Sequence, residues 1–164
     1  MPVSYQDSPT ASAPAELRDC PHRVPASARN ASAPAHELVW ADPTSAEICR
    51  YYATMGLTGR GVPHGTLYGH RRLDAATARK LATDLDAIPR WPKGRVVPCP
   101  MAIGTHDLLV FGYDDGRTLQ VMTTPDGCPS FTNGRYTSGW FSPALQRYFN
   151  LINHLVPPKY QHAR

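Results

Sequence analysis

The chain has 164 residues, of which 41% are hydrophobic and 18% charged, and its formal net charge is +4. This length and composition predict one domain plus a tail, and no apolar run is long enough to cross a bilayer. The basic residues are scattered among acids and match no zinc-finger, RNP or basic-helix pattern, so we predict a mildly basic surface and no nucleic-acid partner.

The first 35 residues are rich in Ser, Ala and Pro and contain almost no large apolar side chain. Such a composition cannot offset its own ordering entropy, so we expect residues 1–35 to form an arm that is disordered or extended on its own. The arm is either an inert linker or an element that a partner orders on binding. No basic start followed by an apolar stretch is visible, so no signal peptide is predicted.

Four cysteines suggest a disulfide framework. Cys20 and Cys49 are 29 positions apart, and so are Cys99 and Cys128. Four cysteines permit three pairings, of which the spacing favours Cys20–Cys49 with Cys99–Cys128, and four free thiols are the alternative. Disulfides imply an oxidising compartment and hence export, so we expect a secreted protein. The absence of a C-x2-C pair argues against a zinc site.

The predicted elements begin with two strand-like runs, 38–40 and 48–52, around a turn at 42–45. Residues 53–70 hold five glycines and are predicted to form a long loop that ends in a short strand around Thr66–Tyr68.

Two amphipathic helices follow from the apolar periodicity. The first spans Ala75–Ile88, with Asp74 as its N-cap, and the proline after it ends the helix. The second has Ser142 as its N-cap and Pro143 at its first position, and it ends before Pro157.

Between the helices lies a predicted β-hairpin. Residues 108–111 and 119–122 are apolar strand-forming runs, and the turn residues 114–116 read Asp-Asp-Gly, a sequence that supplies positive φ angles for a tight turn. Cys99 and Cys128 stand just outside the two strands, where a bridge would stabilise the fold by roughly 3–4 kcal/mol.

Together these elements predict an α+β fold in which antiparallel β-hairpins form a sheet, with two amphipathic helices on one face and two disulfides. We expect an N-terminal arm over residues 1–35, a single domain over 36–158 and a C-terminal tail over 159–164.

No motif for catalysis or metal binding stands out. His36-Glu37 lacks the second histidine of a zinc-protease motif, and His106 and Asp107 are strand neighbours that should point to opposite faces. There is no G-x-S-x-G elbow, and disulfide pairing would remove the cysteine nucleophiles. We predict no catalytic residue, no metal and no cofactor. An uncharacterised extracellular hydrolase is kept as an alternative, because triads are assembled in space.

Several runs carry a family resemblance: Ile48–Tyr51, Leu85–Pro89, Cys99-Pro100, Leu109–Gly116 and Gly127-Cys128. In their order, which covers about residues 36–156, they resemble a widespread group of uncharacterised secreted proteins and lipoproteins of high-GC Gram-positive bacteria. The resemblance implies export and disulfides, and it implies no known activity.

The run Cys99-Pro100-Met101, followed by strand, Asp-Gly turn, strand and cysteine, is similar to the reactive-site half of the subtilisin-inhibitor-like family. There the residue matching Met101 occupies the primary pocket of the protease, which implies Met101–Ala102 as the reactive bond. The sequence departs from that family in two respects. The helix at Ala75–Ile88 has no cysteine for the family's other bridge, and Cys20 has no counterpart.

We predict a secreted, non-catalytic protein-binding module, with an adaptor subunit of a larger extracellular complex as the hypothesis for its role and another secreted protein as its partner. The arm and the Gly/Tyr/Arg-rich loop 53–72 are the expected contact surfaces. The candidate contact residues are Tyr51, Tyr52, Arg60, His64, Tyr68, Met101 and Ala102. The alternative is an inhibitor of an extracellular subtilisin-like protease with Met101–Ala102 as the reactive bond.

Overall fold

The computed structural model of the protein describes residues 20–55 and 64–158. Within them the chain forms one antiparallel sheet and two helices, which is the α+β fold predicted from the sequence. The elements in chain order are β1 (Ser45–Tyr51), β2 (Leu67–Leu73), α1 (Ala75–Asp86), β3 (His106–Gly112), β4 (Thr118–Thr124), β5 (Ser130–Thr132), β6 (Thr137–Ser138) and α2 (Pro143–Leu155). The order of strands across the six-stranded sheet is β2-β1-β3-β4-β5-β6.

Both helices begin where the sequence predicts. The Asp74 side chain accepts a hydrogen bond from the Thr77 N–H at 2.8 Å, and the Ser142 hydroxyl accepts one from the Leu145 N–H at 3.1 Å. These caps satisfy backbone donors that have no partner within the helix. α1 ends at Asp86, two residues before the predicted end, although Ile88 is still buried in the core.

The two helices pack on one face of the sheet, as expected, and form the main core there. Their buried side chains meet alternate residues of β1, β3 and β4, because successive strand residues point to opposite faces. The larger members of this core are Ile48, Leu81, Leu85, Leu109, Phe111, Leu119, Val121, Phe131, Tyr148 and Ile152.

Residues 20–33, which the sequence assigns to the arm, run along the opposite face of the sheet, and only Ala33 at their end enters the main core. The Cys20–Cys49 disulfide joins this segment to β1, and Asn30 exchanges two hydrogen bonds with the backbone of Gln120 in β4. Beneath it lies a smaller apolar cluster of Cys49, Tyr51, Leu108, Val110 and Met122.

The central hairpin is confirmed as β3 and β4, which pair in register from Asp107↔Thr123 to Gly112↔Thr118. In the turn only Gly116 has a positive φ, of 82°, while the Asp115 carboxylate accepts a hydrogen bond from the Arg117 N–H. The glycine therefore supplies the left-handed geometry and the aspartate supplies a side-chain cap.

The predicted strand at residues 38–40 is wrong. Leu38 and Val39 are adjacent and both fully buried, and both of their N–H groups donate to Asp86 Oδ1, at 2.9 and 3.0 Å. A strand would send these two side chains to opposite faces, whereas here the segment fills the core beside α1.

Two further differences concern strand extent. The short strand expected around Thr66–Tyr68 is the start of the seven-residue β2. The turn at Asn133-Gly134 is flanked by β5 and β6, for which no strands were predicted. These strands have three and two residues, too few for a periodic pattern to be visible in the sequence.

Both disulfides have the pairing that the cysteine spacing favours, Cys20–Cys49 and Cys99–Cys128. Neither described helix has the length and apolar character needed to cross a membrane.

Candidate functional site

Residues 96–103, which we call the exposed loop, connect the segment after α1 to β3. Three of their apolar side chains lie on the surface, with Val96 97%, Met101 88% and Ile103 39% exposed. A single exposed apolar residue is ordinary, but a cluster of them on one short segment is typical of a contact site for another molecule.

The C-terminal end of the exposed loop is held from two sides. Asp126 Oδ2 accepts hydrogen bonds from the Ile103 N–H at 2.7 Å and from the Thr105 N–H at 3.3 Å. On the other side the Thr54 N–H donates to the Gly104 carbonyl at 3.1 Å, and the Met55 N–H donates to the Ile103 carbonyl at 2.9 Å. The main chain directly after Ala102 is therefore fixed.

The middle of the loop rests on the second disulfide. Cys99 is bonded to Cys128 with a Cα–Cα distance of 5.0 Å. Gly127, the residue before Cys128, packs directly against the loop. A Cβ atom at this position would lie 2.9 Å from the Ala102 Cβ and 3.3 Å from the Pro100 carbonyl oxygen. Since Gly127 also has a φ of 66°, any larger residue there would push the loop away.

An aromatic cluster holds the segment that leads into the loop. The Trp91 indole N–H donates to the Pro129 carbonyl at 3.2 Å, and the Trp91 and Trp140 rings meet edge to face at 5.1 Å. The Trp140 N–H donates in turn to the Pro89 carbonyl. The chain is thus attached to the domain before the loop as well as after it.

Between these attachments the main chain is unpaired. Among the described residues, no hydrogen bond between main-chain groups involves residues 96–102. Pro98 and Pro100 have no N–H, so this segment offers its carbonyl groups and the N–H groups of its other residues to a strand of another protein. Attachment at both ends lowers the entropy lost on binding.

The residues predicted as contacts differ in their exposure to solvent and in their place in the fold. Met101 and Ala102 lie in the exposed loop. Tyr51 is fully buried beneath the N-terminal segment, where its hydroxyl donates to the Pro21 carbonyl at 2.9 Å, so its side chain offers no surface to a partner. Tyr52 and Tyr68 are half-buried, and their ring centroids are 4.9 Å apart.

Two predicted contacts remain. His64 is exposed at the start of the second described range, and the prediction for Arg60 lies outside the described residues.

A buried polar row crosses the sheet on its helix face. Arg50, Asp107 and Thr123 are direct neighbours in the strand register. Arg50 Nε donates to Asp107 Oδ1 at 2.8 Å, and Arg50 Nη1 donates to Asn153 Oδ1 at 2.7 Å and to the Val156 carbonyl at 2.8 Å. The guanidinium therefore joins β1 and β3 to the end of α2.

Burial is the main influence on the pKa values of Asp107 and of the neighbouring Tyr148. It raises the pKa of Asp107 despite the neighbouring Arg50 guanidinium, and burial together with the charge of Asp107 raises the pKa of Tyr148. Asp107 Oδ2, Thr123 Oγ1 and the Tyr148 hydroxyl have no hydrogen-bond partner in the described part of the chain.

His106 lies on the other side of the strand from Asp107, near Thr124. The Asp107 carboxylate thus serves a structural ion pair and does not orient a histidine.

A cleft of about 330 Å³ lies beside α1. Its polar lining includes Glu37, Asp42, Arg79 and Asp86. Partial burial raises the pKa of Asp86 to about 6, against the lowering effect of the two N–H donors from Val39 and Leu38. Across residues 20–55 and 64–158, no group of three or more His, Cys, Asp or Glu side chains could hold a metal ion.

Sequence reasoning missed Arg50, Asp126 and Asn153. For Arg50 a signal existed, because a charged residue inside an apolar strand needs a buried partner, and Asp107 lies next to another apolar run, at 108–111. Asp126 follows β4, and Asn153 lies within α2. Their roles depend on tertiary contacts with the exposed loop and with Arg50, respectively, which no local pattern shows.

Comparison with known proteins finds no matching family model, no matching curated protein and no matching solved structure.

Proposed function

We propose that the protein is a non-catalytic protein-binding module that acts as an inhibitor of an extracellular serine protease, with Met101 in the primary pocket of the protease. The observation that carries the proposal is Met101 itself, an apolar side chain 88% exposed on a loop attached at both ends. A flexible unbranched side chain of this kind suits a deep apolar pocket.

The anchoring contacts support inhibition over simple cleavage of the loop. An exposed segment that is free to move is an ordinary protease substrate. Here the Met101–Ala102 bond is closely flanked by the Cys99–Cys128 bridge, by the hydrogen bond that Asp126 accepts, and by the hydrogen bonds that the Thr54 and Met55 N–H groups donate. If that bond were cut, the two new ends would stay together, so the complex would persist and religation would compete with release.

An adaptor role through the N-terminal arm receives less support. Residues 20–33 already contact the sheet through the Cys20 disulfide and Asn30, and they cover an apolar cluster of the domain itself. Residues 1–19 lie outside the described part. We also propose that the protein is exported, which two disulfides support because such bonds persist in oxidising compartments.

The test is inhibition of a subtilisin by the full chain, compared with the variants Met101→Pro and Asp114→Ala. Both side chains are exposed, so neither change disturbs the core. We expect inhibition in the nanomolar range, and an inhibition constant at least about 30-fold weaker for Met101→Pro, which is the effect of losing a central contact residue. Asp114→Ala, in the turn between β3 and β4 and outside the exposed loop, should stay within about 3-fold of the original chain.

Two results would contradict the proposal. One is the absence of inhibition by the intact chain. The other is an equal loss of inhibition in both variants, which would place the contact outside the Met101–Ala102 bond.

A further inference from the structure

Three of the four methionines lie in the described part of the chain, and their surroundings differ sharply. Met101 is 88% exposed, Met55 is 56% exposed and Met122 is 7% exposed beneath residues 20–33. Oxidation of a thioether depends on access of the oxidant to the sulfur, so reactivity should follow this order.

The Met101 side chain contributes little to folding, because almost all of its surface is in solvent. The contacts that hold the loop come from neighbouring main-chain groups at Ile103, Gly104 and Thr105 and from the disulfide at Cys99. A chemical change at the Met101 sulfur would therefore leave the loop and the domain intact. It would alter only the group that the loop presents.

We propose that Met101 is an oxidation site that switches off binding, so that hydrogen peroxide or a related two-electron oxidant converts the protein to an inactive form. This inference rests on the proposed function. The thioether sulfur attacks one peroxide oxygen, the O–O bond breaks and an S–O bond forms. The sulfur is oxidised by two electrons to the sulfoxide, and the other peroxide oxygen leaves as water.

The sulfoxide oxygen is a strong hydrogen-bond acceptor, whereas the thioether is nearly apolar. A pocket that accepts the unoxidised side chain offers that oxygen no partner, and burying it there is unfavourable. The expected result is a loss of affinity of about 10- to 100-fold. Binding in turn protects Met101 from the oxidant, because the sulfur is then enclosed by the partner.

The experiment treats the full chain with hydrogen peroxide, removes the peroxide and then measures subtilisin inhibition, with peptide masses locating the added oxygen. The matched variants are Met101→Leu and Met55→Leu. We expect the original chain and Met55→Leu to gain oxygen first at Met101 and to lose inhibition 10- to 100-fold, with no change in Tm. For Met101→Leu the inhibition constants before and after the same treatment should be equal, because leucine has no sulfur to oxidise.

The inference is overturned if chain oxidised at Met101 inhibits as well as untreated chain, or if Met101→Leu loses inhibition equally. It is also overturned if Met55 or Met122 is oxidised before Met101. Failure of the untreated chain to inhibit refutes the proposed function, and the switch with it, and is seen before any peroxide is added.

Discussion

At the scale of single residues, the buried Arg50–Asp107 ion pair is the part of the interior whose stability depends most on geometry. Removing two charges from water costs several kcal/mol per ion, and the attraction between them compensates only where the geometry is good and the remaining donors are satisfied. Here the 2.8 Å contact is supplemented by Asn153 and the Val156 carbonyl. The pair stabilises the fold only while both members are present.

We therefore predict that Asp107→Asn lowers the free energy of unfolding by about 3–5 kcal/mol, because it leaves the Arg50 charge buried without a counter-charge. Urea denaturation followed by fluorescence measures this. Asp115→Asn is the control, since the Asp115–Arg117 pair is half-exposed and its loss should shift the midpoint little. Equal midpoints for the two variants would show that the buried charge is compensated elsewhere.

At the scale of elements, Asp86 joins the end of α1 to the segment before β1 through the N–H groups of Leu38 and Val39. Its pKa of about 6 in the folded chain lies above the ordinary value of 3.8. A group whose pKa is raised by folding stabilises the fold fully below the unfolded value. That contribution is lost as pH rises through the folded value.

Asp86→Asn keeps the side-chain oxygen that accepts both hydrogen bonds and removes the titration. We expect the variant to gain stability relative to the original chain between pH 4 and pH 7, by a few degrees in Tm at most because the carboxylate is partly exposed. Thermal unfolding of both proteins across this range is the measurement. Parallel profiles would mean that folding leaves the pKa of Asp86 unchanged.

At the scale of the whole molecule, the two disulfides close loops of the same length, with a sequence separation of 29 in each case. Chain entropy alone predicts an equal stabilisation of about 3–4 kcal/mol from each. The structure makes them unequal, because the Cys20–Cys49 bridge also holds residues 20–33 over the smaller apolar cluster.

We predict that Cys20→Ala/Cys49→Ala costs more stability than Cys99→Ala/Cys128→Ala, and that only the first double variant binds a hydrophobic dye in the absence of denaturant. The second should keep its core and lose protease inhibition, since its bridge supports the exposed loop. Denaturation midpoints and dye fluorescence test this comparison. An equal cost without dye binding would contradict the role assigned to residues 20–33.

Much of the fold could be predicted from local patterns. The helix caps at Asp74 and Ser142, the apolar stripes and the Asp-Asp-Gly turn each act over a few residues, so they can be recognised without knowing the fold. The candidate site was predictable only in part. The place of Met101 and Ala102 after Cys99 indicated them as candidate contacts, and the structure shows that both are exposed. The burial of Tyr51 depends on a segment that lies 30 positions earlier, which no local pattern reveals.

By itself, then, the sequence determined the class of fold, the two helices, the central hairpin and the favoured cysteine pairing, because each depends on residues close in the chain or on equal spacing. Only the tertiary structure decided which residues cover the second face of the sheet, where Asn30 and Gln120, 90 positions apart, are hydrogen-bonded. It also decided that Asp126 holds the main chain at Ile103. Such contacts arise from the packing of distant segments, and no local pattern encodes them.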